Sequence, residues 1–206
     1  MTNAKMLELL NEYLENNNLV KLMDLKNGLT ENIRVEIEKS KGTKVKDISV
    51  MKKVIKDVEE AVYSNEIFKG YHVFELNNKQ YNGFCNGHFI FASTNDFGYE
   101  KSENPLDMKQ MFSENGFEKN NMNMEIKVNL NDVKFFIKTH KKSDKKPYII
   151  NTDNFKIGVN PYYLQNALEF CDSDTIYVTK PNQPIYVKSE DYEKITLVLP
   201  MHIFQD

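Results

Sequence analysis

The sequence predicts an α+β fold, with antiparallel strands and helices packed on one face of them, and three observations carry that prediction. Apolar residues recur at helical spacing in two segments of the first third of the chain. Short apolar or alternating runs bounded by turn residues come in triplets, at 71–93 and again at 175–201. Between the triplets a unit of strand, asparagine and helix start occurs twice. Helices interleaved with groups of strands, rather than strand–helix alternation throughout, point to antiparallel sheets.

In chain order, Met6, Leu7, Leu10, Tyr13 and Leu14 share a helical face, so residues 3–15 read as an amphipathic helix ended by the asparagines at 16–18. Residues 19–40 are ambiguous, but "NIRVEIEKS" alternates as a strand does, with Ile33, Val35 and Ile37 on one side. Met51, Val54, Ile55, Val58, Ala61 and Val62 form the next helical stripe, with Ser49 or Asp47 as its cap. We assign 1–45 to an N-terminal helix and extension, and 46–206 to the main domain. "YHVFEL", "KQYNGF" and "HFIFAS" then read as three strands, turned at "NNK" and "CNG". Residues 93–122, with Ser, Asn, Gly and Glu around "PLDMKQMF", read as a linker and a sub-boundary.

The repeated unit follows. "MEIKVN" is a strand leading to a helix over 131–142; "KPYIIN" and "FKIGV" are strands leading to a helix over 161–171. Lys127, Val128, Leu130 and Asn131 align with Lys156, Ile157, Val159 and Asn160, which places an asparagine at each helix cap. Pro161 suits the first helical position, where its missing N–H costs nothing. The repeat reads either as pseudo-symmetry, with two helices side by side on one sheet face, or as a coincidence of two similar junctions. "TIYVTK", "PIYVKS" and "ITLVLPM" close the chain as an antiparallel meander.

Composition narrows the function. The 206 residues carry a formal charge of −3, so the chain is no general polycation, and local clusters must decide any nucleic-acid role. Cys85 and Cys171 stand apart with no metal-ligand spacing and read as free thiols of a reducing, cytoplasmic compartment. The N-terminus carries Glu8, Glu12 and Glu15 and is no signal peptide; no apolar run is long enough for a membrane span. Enzyme motifs are lacking. His72 and Glu75 of "HVFE" point to opposite faces of a strand, and Ser143–Lys146 matches a Ser-x-x-Lys pattern without its companion motifs. Cys85 and His88 share a turn with no base evident beside the thiol. Tyr162 and Tyr163 suit base stacking or, at a helix start, core packing. We expect no catalysis, no cofactor and no metal.

Three segments resemble the bacterial sliding-clamp family, the beta subunit of DNA polymerase III. The C-terminal one covers residues 155–203. Asn160, Pro161, Tyr163 and Leu164, with Ala167 and Leu168, are similar to the family's Asn-Pro-x-Tyr-Leu helix start, and Leu199, Pro200, Met201, His202 and Ile203 to its Met-Pro-x-Arg-Leu ending. "CNGHFIFAS" resembles the Thr-Asp-Gly-His-Arg-Leu-Ala strand through Asn86, Gly87, His88, Phe89 and Ile90. "NPLDMKQM" resembles the Tyr-Pro-Asp-Tyr segment through Pro105 and Asp107. The resemblance implies a DNA-clamp-like fold in a shortened form. It also implies a hydrophobic pocket for linear peptide motifs of DNA polymerase or other replication proteins, lined by Gly87, His88, Phe89, Ile90, Pro105 and Leu199 to Ile203. Phe89 and His202 stand where the family has arginines, so the polar rim differs. The family closes a ring from three-domain chains; a chain of this size would have to form a homo-oligomer to surround a duplex.

A clamp touches the phosphates of double-stranded DNA with lysines on inward helices, without reading bases. Lys134, Lys138, Lys141 and Lys145 recur at helical spacing, with Lys142 and Lys146 beside them, and Lys52, Lys53 and Lys56 lie opposite the earlier apolar stripe. The expectation is a DNA contact through Lys52, Lys53, Lys56, Lys134, Lys138, Lys141, Lys142 and Lys145; the competing reading is an ordinary solvated face. We therefore expect a sliding-clamp-like accessory protein of replication, of the kind a phage or mobile element carries. The alternative is a clamp-fold interaction module with no DNA binding.

Overall fold

The computed structural model describes residues 8–13, 19–40, 45–114, 124–180 and 182–203. The chain forms two compact units, residues 1–48 and 49–206.

In the first unit residues 8–13 are helical and α1 spans Leu19–Ser40. Only part of the expected helix at 3–15 lies within the described residues, and the asparagines at 16–18 lie outside them. The strand expected at 32–40 is instead the last part of α1. Ile33, Val35 and Ile37 do alternate, but Leu22, Leu25, Leu29 and Ile33 continue a helical period through the whole segment. A period sustained over 22 residues outweighs an alternation over five. Gly28 is accommodated within α1, where nothing lies close enough to crowd a side chain.

α2 (Val45–Val62) starts earlier than the stripe suggested, so neither Ser49 nor Asp47 is its cap. Asp47 falls in its first turn, where a carboxylate meets the positive end of the helix dipole.

In the second unit Met51, Val54, Ile55 and Val58 of α2 are buried. The first triplet forms β1 (His72–Leu76), β2 (Lys79–Cys85) and β3 (Phe89–Ser93). Positive φ angles at Asn77 and Asn78 make the first of these turns, and asparagine tolerates that region better than most residues. α3 (Met108–Glu114) and β4 (Met124–Lys127) follow, then α4 (Leu130–Thr139), β5 (Tyr148–Asn151), β6 (Lys156–Val159) and α5 (Pro161–Cys171). The chain closes with β7 (Thr175–Val178), β8 (Ile185–Lys188), β9 (Lys194–Val198) and β10 (Pro200–Met201).

The strands make a mixed helix and antiparallel-sheet fold. A seven-stranded sheet runs β1-β2-β3-β9-β8-β7-β4, and a three-stranded sheet runs β10-β6-β5. The closing run is therefore not one strand. It leaves the large sheet after Val198 and joins the small one at Pro200, which pairs with Val159.

β3 is buried on both faces, which explains its unbroken apolar run "FIFA". Phe89 and Phe91 face a core shared with α2, α4 and α5, where Val54, Val133, Leu164 and Phe170 are buried. Ile90 and Ala92 face a second core with Met108 and Phe112 of α3. Residues of α2, α4 and α5 thus share one face, and the short α3 covers the other. Residues 93–122 are consequently more than a linker as far as they are described: Phe97, Met108 and Phe112 are core residues.

The repeat is present in a shifted register. Asn160 caps α5 as expected, accepting from the N–H groups of Tyr162 and Tyr163, with Pro161 at the first helical position. The cap of α4, however, is Asn129, whose side chain accepts from the Asn131 N–H; Asn131 is inside the helix. Pairing Asn129 with Asn160 also matches Val128 with Val159 and Val133 with Leu164, all buried. The side-chain oxygen on the free helical N–H sets the start, and the first asparagine in line supplies it. α4 and α5 pack side by side.

Candidate functional site

The sequence places Gly87–Ile90 and Leu199–Ile203 far apart; the sheet brings their neighbours together. β3 and β9 pair antiparallel, with Phe89 opposite Val198 and Ile90 opposite Leu197. One step further the Leu199 N–H donates to the His88 carbonyl at 2.9 Å.

The turn before β3 is built by Asn86. Its side-chain oxygen accepts from the His88 N–H at 2.9 Å and the Phe89 N–H at 3.1 Å, while its amide reaches the Tyr163 hydroxyl at 3.4 Å. Gly87 sits at φ +84, a backbone setting that side chains disfavour, and any Cβ there would also crowd the Phe68 ring. The Tyr163 ring packs edge-on against Phe89 at 4.9 Å between centroids.

Two pockets open on either side of Leu199, which is 39% exposed between them. The first, about 400 Å³, holds His88, Tyr162, Tyr163 and Leu199 to Met201 against Phe136, Ile137 and His140 of α4 and its end. Lys141, Lys145 and Lys146 stand at this pocket too. The second, about 380 Å³, is lined by Phe68, Gly87, Phe89, Ile90 and Leu106, with Cys85, Met111, Pro184 and Leu197.

Of the residues expected to line a peptide pocket, His88, Pro200 and Met201 therefore fall at the first cavity, and Gly87, Phe89 and Ile90 at the second; Leu199 belongs to both. Pro105 lines neither. Its neighbour Leu106 does so instead, held by an N–H donated to Nδ1 of the buried His72 at 3.0 Å. His202 and Ile203 also lie outside both linings. Ile203 approaches Gly158 of β6, where a Cβ would stand 2.9 Å from it and 2.9 Å from the Met201 carbonyl oxygen.

The α4 wall and Tyr162 were missed as lining residues. The sequence offers Tyr162 for base stacking or packing and gives no lining role to Phe136 and Ile137, which stand among the lysines of α4. The helix cap Asn160, itself at the pocket, was the signal that could have found them.

The lysine stripe breaks. α4 ends at Thr139 with His140 as its C-cap, so Lys134 and Lys138 remain on the helix while Lys141 and Lys145 lie beyond it. Lys142 begins a short 3₁₀ turn, Lys142–Asp144. Lys134 reaches Glu169 of α5 at 2.7 Å, and Lys53 of α2 reaches the same carboxylate at 3.9 Å. Burial pushes the Glu169 carboxyl up, but hydrogen bonds from Lys134 and Gln165, with the charges of Lys134 and Lys53, outweigh it and hold it below the usual range. Lys52, Lys56 and Lys138 are exposed.

Two of the groups weighed for catalysis can be placed. Burial, only partly offset by the Gly87 N–H, pushes the Cys85 thiol up, away from the reactive thiolate. His72 is buried while Glu75 on the same strand is exposed, as opposite faces require. Among the described residues no group of three His, Cys, Asp or Glu side chains is placed to hold a metal ion. Among them, too, no helix is long and apolar enough to cross a membrane.

No protein-family model matches this sequence, and no curated protein matches it. Among solved structures the fold is similar to that of a candidate DNA polymerase III beta subunit from Eubacterium rectale, with a TM-score of 0.44 and 18% identity. The alignment covers 68% of this chain and 58% of that one, so the chain spans under two thirds of that protein's length.

Proposed function

We propose that this protein is a sliding-clamp-like accessory factor, cytoplasmic and without catalysis, that takes short linear peptides of replication proteins in the groove over Leu199. One observation carries the reading: the β3–β9 pairing sets the glycine–histidine turn beside the Leu-Pro-Met ending, with an apolar pocket on each side. Paired cavities with apolar walls suit an extended peptide with spaced anchors. The three motif resemblances, drawn from separate parts of the sequence, supply the replication context.

The test is a polarisation titration with a fluorescent clamp-binding peptide, on the native protein and on Pro200→Ala and Met201→Ala. Binding that weakens at least several-fold in Met201→Ala supports the reading. No binding by the native protein at high micromolar concentration would sink it.

A second reading, an interaction module without DNA contact, is favoured by one specific feature. Glu169 pairs with Lys134 and approaches Lys53, removing part of the positive charge from the helix face that would meet phosphates. Filter binding of a duplex against salt separates the two. A slope of roughly −0.9 per phosphate contact supports a DNA role for Lys52, Lys56 and Lys138, and a flat line removes it.

A further inference from the structure

The two pockets differ in charge. No charged side chain lines the second cavity. The first has Lys141, Lys145 and Lys146, with His88 and His140, and no carboxylate among its lining residues.

These three lysines also differ from others nearby. Lys53 and Lys134 are tied to Glu169, and Lys127 to Asp174 at 2.5 Å. Lys141, Lys145 and Lys146 are exposed, and none makes an ion pair among the described residues. Lys146 meets only the His140 ring, Nζ to Nε2 at 3.4 Å. Asp144 lies in the same loop, but its carboxylate accepts from the Lys141 backbone N–H and the Ser143 hydroxyl rather than pairing with an ammonium group among the described residues, so three cations stand at a recess whose lining holds no carboxylate.

Resting on the reading of the groove as a peptide site, we propose that its partner is an acidic linear peptide: large apolar side chains for the uncharged pocket, joined to carboxylates that meet Lys141, Lys145 and Lys146. The apolar walls favour a peptide over a nucleic-acid backbone. Phe136, Ile137, Leu199 and Met201 offer phosphates nothing, but they suit the carbon skeleton that carries a carboxylate. Complementary charge at the rim sets which partner is selected more than how tightly it is held.

The experiment uses the full chain and fluorescein-labelled eight-residue peptides. Each carries a Leu-Phe anchor and two aspartates, or two asparagines in their place, with the pair tried on either side of the anchor. The aspartate peptide should bind about five- to tenfold more tightly at low salt, and the ratio should fall toward one as salt screens the exposed lysines. The exposed triple variant Lys141→Gln, Lys145→Gln and Lys146→Gln should bring the aspartate peptide down to the affinity of its asparagine counterpart.

Equal affinities for the two peptides at low salt overturn the proposal and leave the peptide groove standing. Failure of both peptides to bind overturns the groove and the proposal together. If the peptides bind alike while the triple variant loses duplex DNA, the lysines serve phosphates and the proposal is wrong.

Discussion

Asn86 concentrates several roles in one side chain. It is 8% exposed, closes the turn under His88 and Phe89, and reaches across to Tyr163 on α5. Replacing it with alanine leaves two turn N–H groups without their acceptor. Asn86→Ala should therefore cost about 1–3 kcal/mol in urea denaturation and weaken peptide binding. An unchanged midpoint would show that the turn stands without it.

Glu169 and His72 each contribute to the response to pH, beside Asp174 and Asp191, whose carboxyls are also held below the usual range by hydrogen bonds. The folded Glu169 carboxyl lies below its unfolded value, so its contribution is whole above about pH 4.3 and is lost as pH falls through the folded pKa. Urea midpoints of the native protein should drop in that window more than those of Glu169→Gln. Burial lowers the pKa of His72, and its Nδ1 accepts the Leu106 N–H. Below about pH 6.5 the unfolded chain takes up a proton that the folded one refuses, so stability should begin to decline there. His72→Gln should flatten that part of the profile.

At the scale of elements, Gly158 decides whether β10 can lie against β6. A methyl group there meets the Met201 carbonyl and Ile203. Gly158→Ala should cost about 1–3 kcal/mol and weaken peptide binding by displacing Pro200 and Met201. On the opposite sheet face, Met108→Ala or Phe112→Ala opens the second core, at about 2–5 kcal/mol. Met108→Ala should also disturb the stretch that carries Leu106 and Met111 to the second pocket.

What was legible at this scale follows from where the signal sits. Asn160 and Pro161 are adjacent and unambiguous, and α5 starts where they say. Asn129 and Asn131 both fit a cap in the sequence, and the hydrogen bond from the Asn131 N–H to Asn129, with Val128 and Val133 buried, distinguishes them. The end of α1 is ambiguous in the sequence because β-branched residues alternate by chance within a longer helical period. Both strands of the groove were visible as apolar runs. Their partnership was suggested by motif resemblance, since pairing between residues so distant leaves no local mark. The α4 wall and the lysines beyond it could not be assigned to a pocket without knowing that the helix stops at Thr139.

For the whole molecule, charge is local rather than global. A net −3 hides a carboxylate shared by two lysines on one helix face and three lysines at a pocket with no carboxylate in its lining. Assembly is the other whole-molecule question. β1 and β4 end the seven-stranded sheet, and an edge strand can accept another strand. If copies of this chain join to surround DNA, light scattering should report a mass above the monomer's. A single monomeric species at high concentration would leave the interaction-module reading in place and remove encirclement.

Leu199 belongs to neither sheet; it is the step by which the main chain passes from one to the other. A residue in that position is a common partition, so whatever shifts it to fill one chamber reshapes the chamber next door. Occupancy on the two sides should therefore be thermodynamically linked, with each fragment changing the other's affinity by the same factor. Titrating one short ligand in the presence and absence of the second would reveal that reciprocity, and strict independence would mean the partition is rigid.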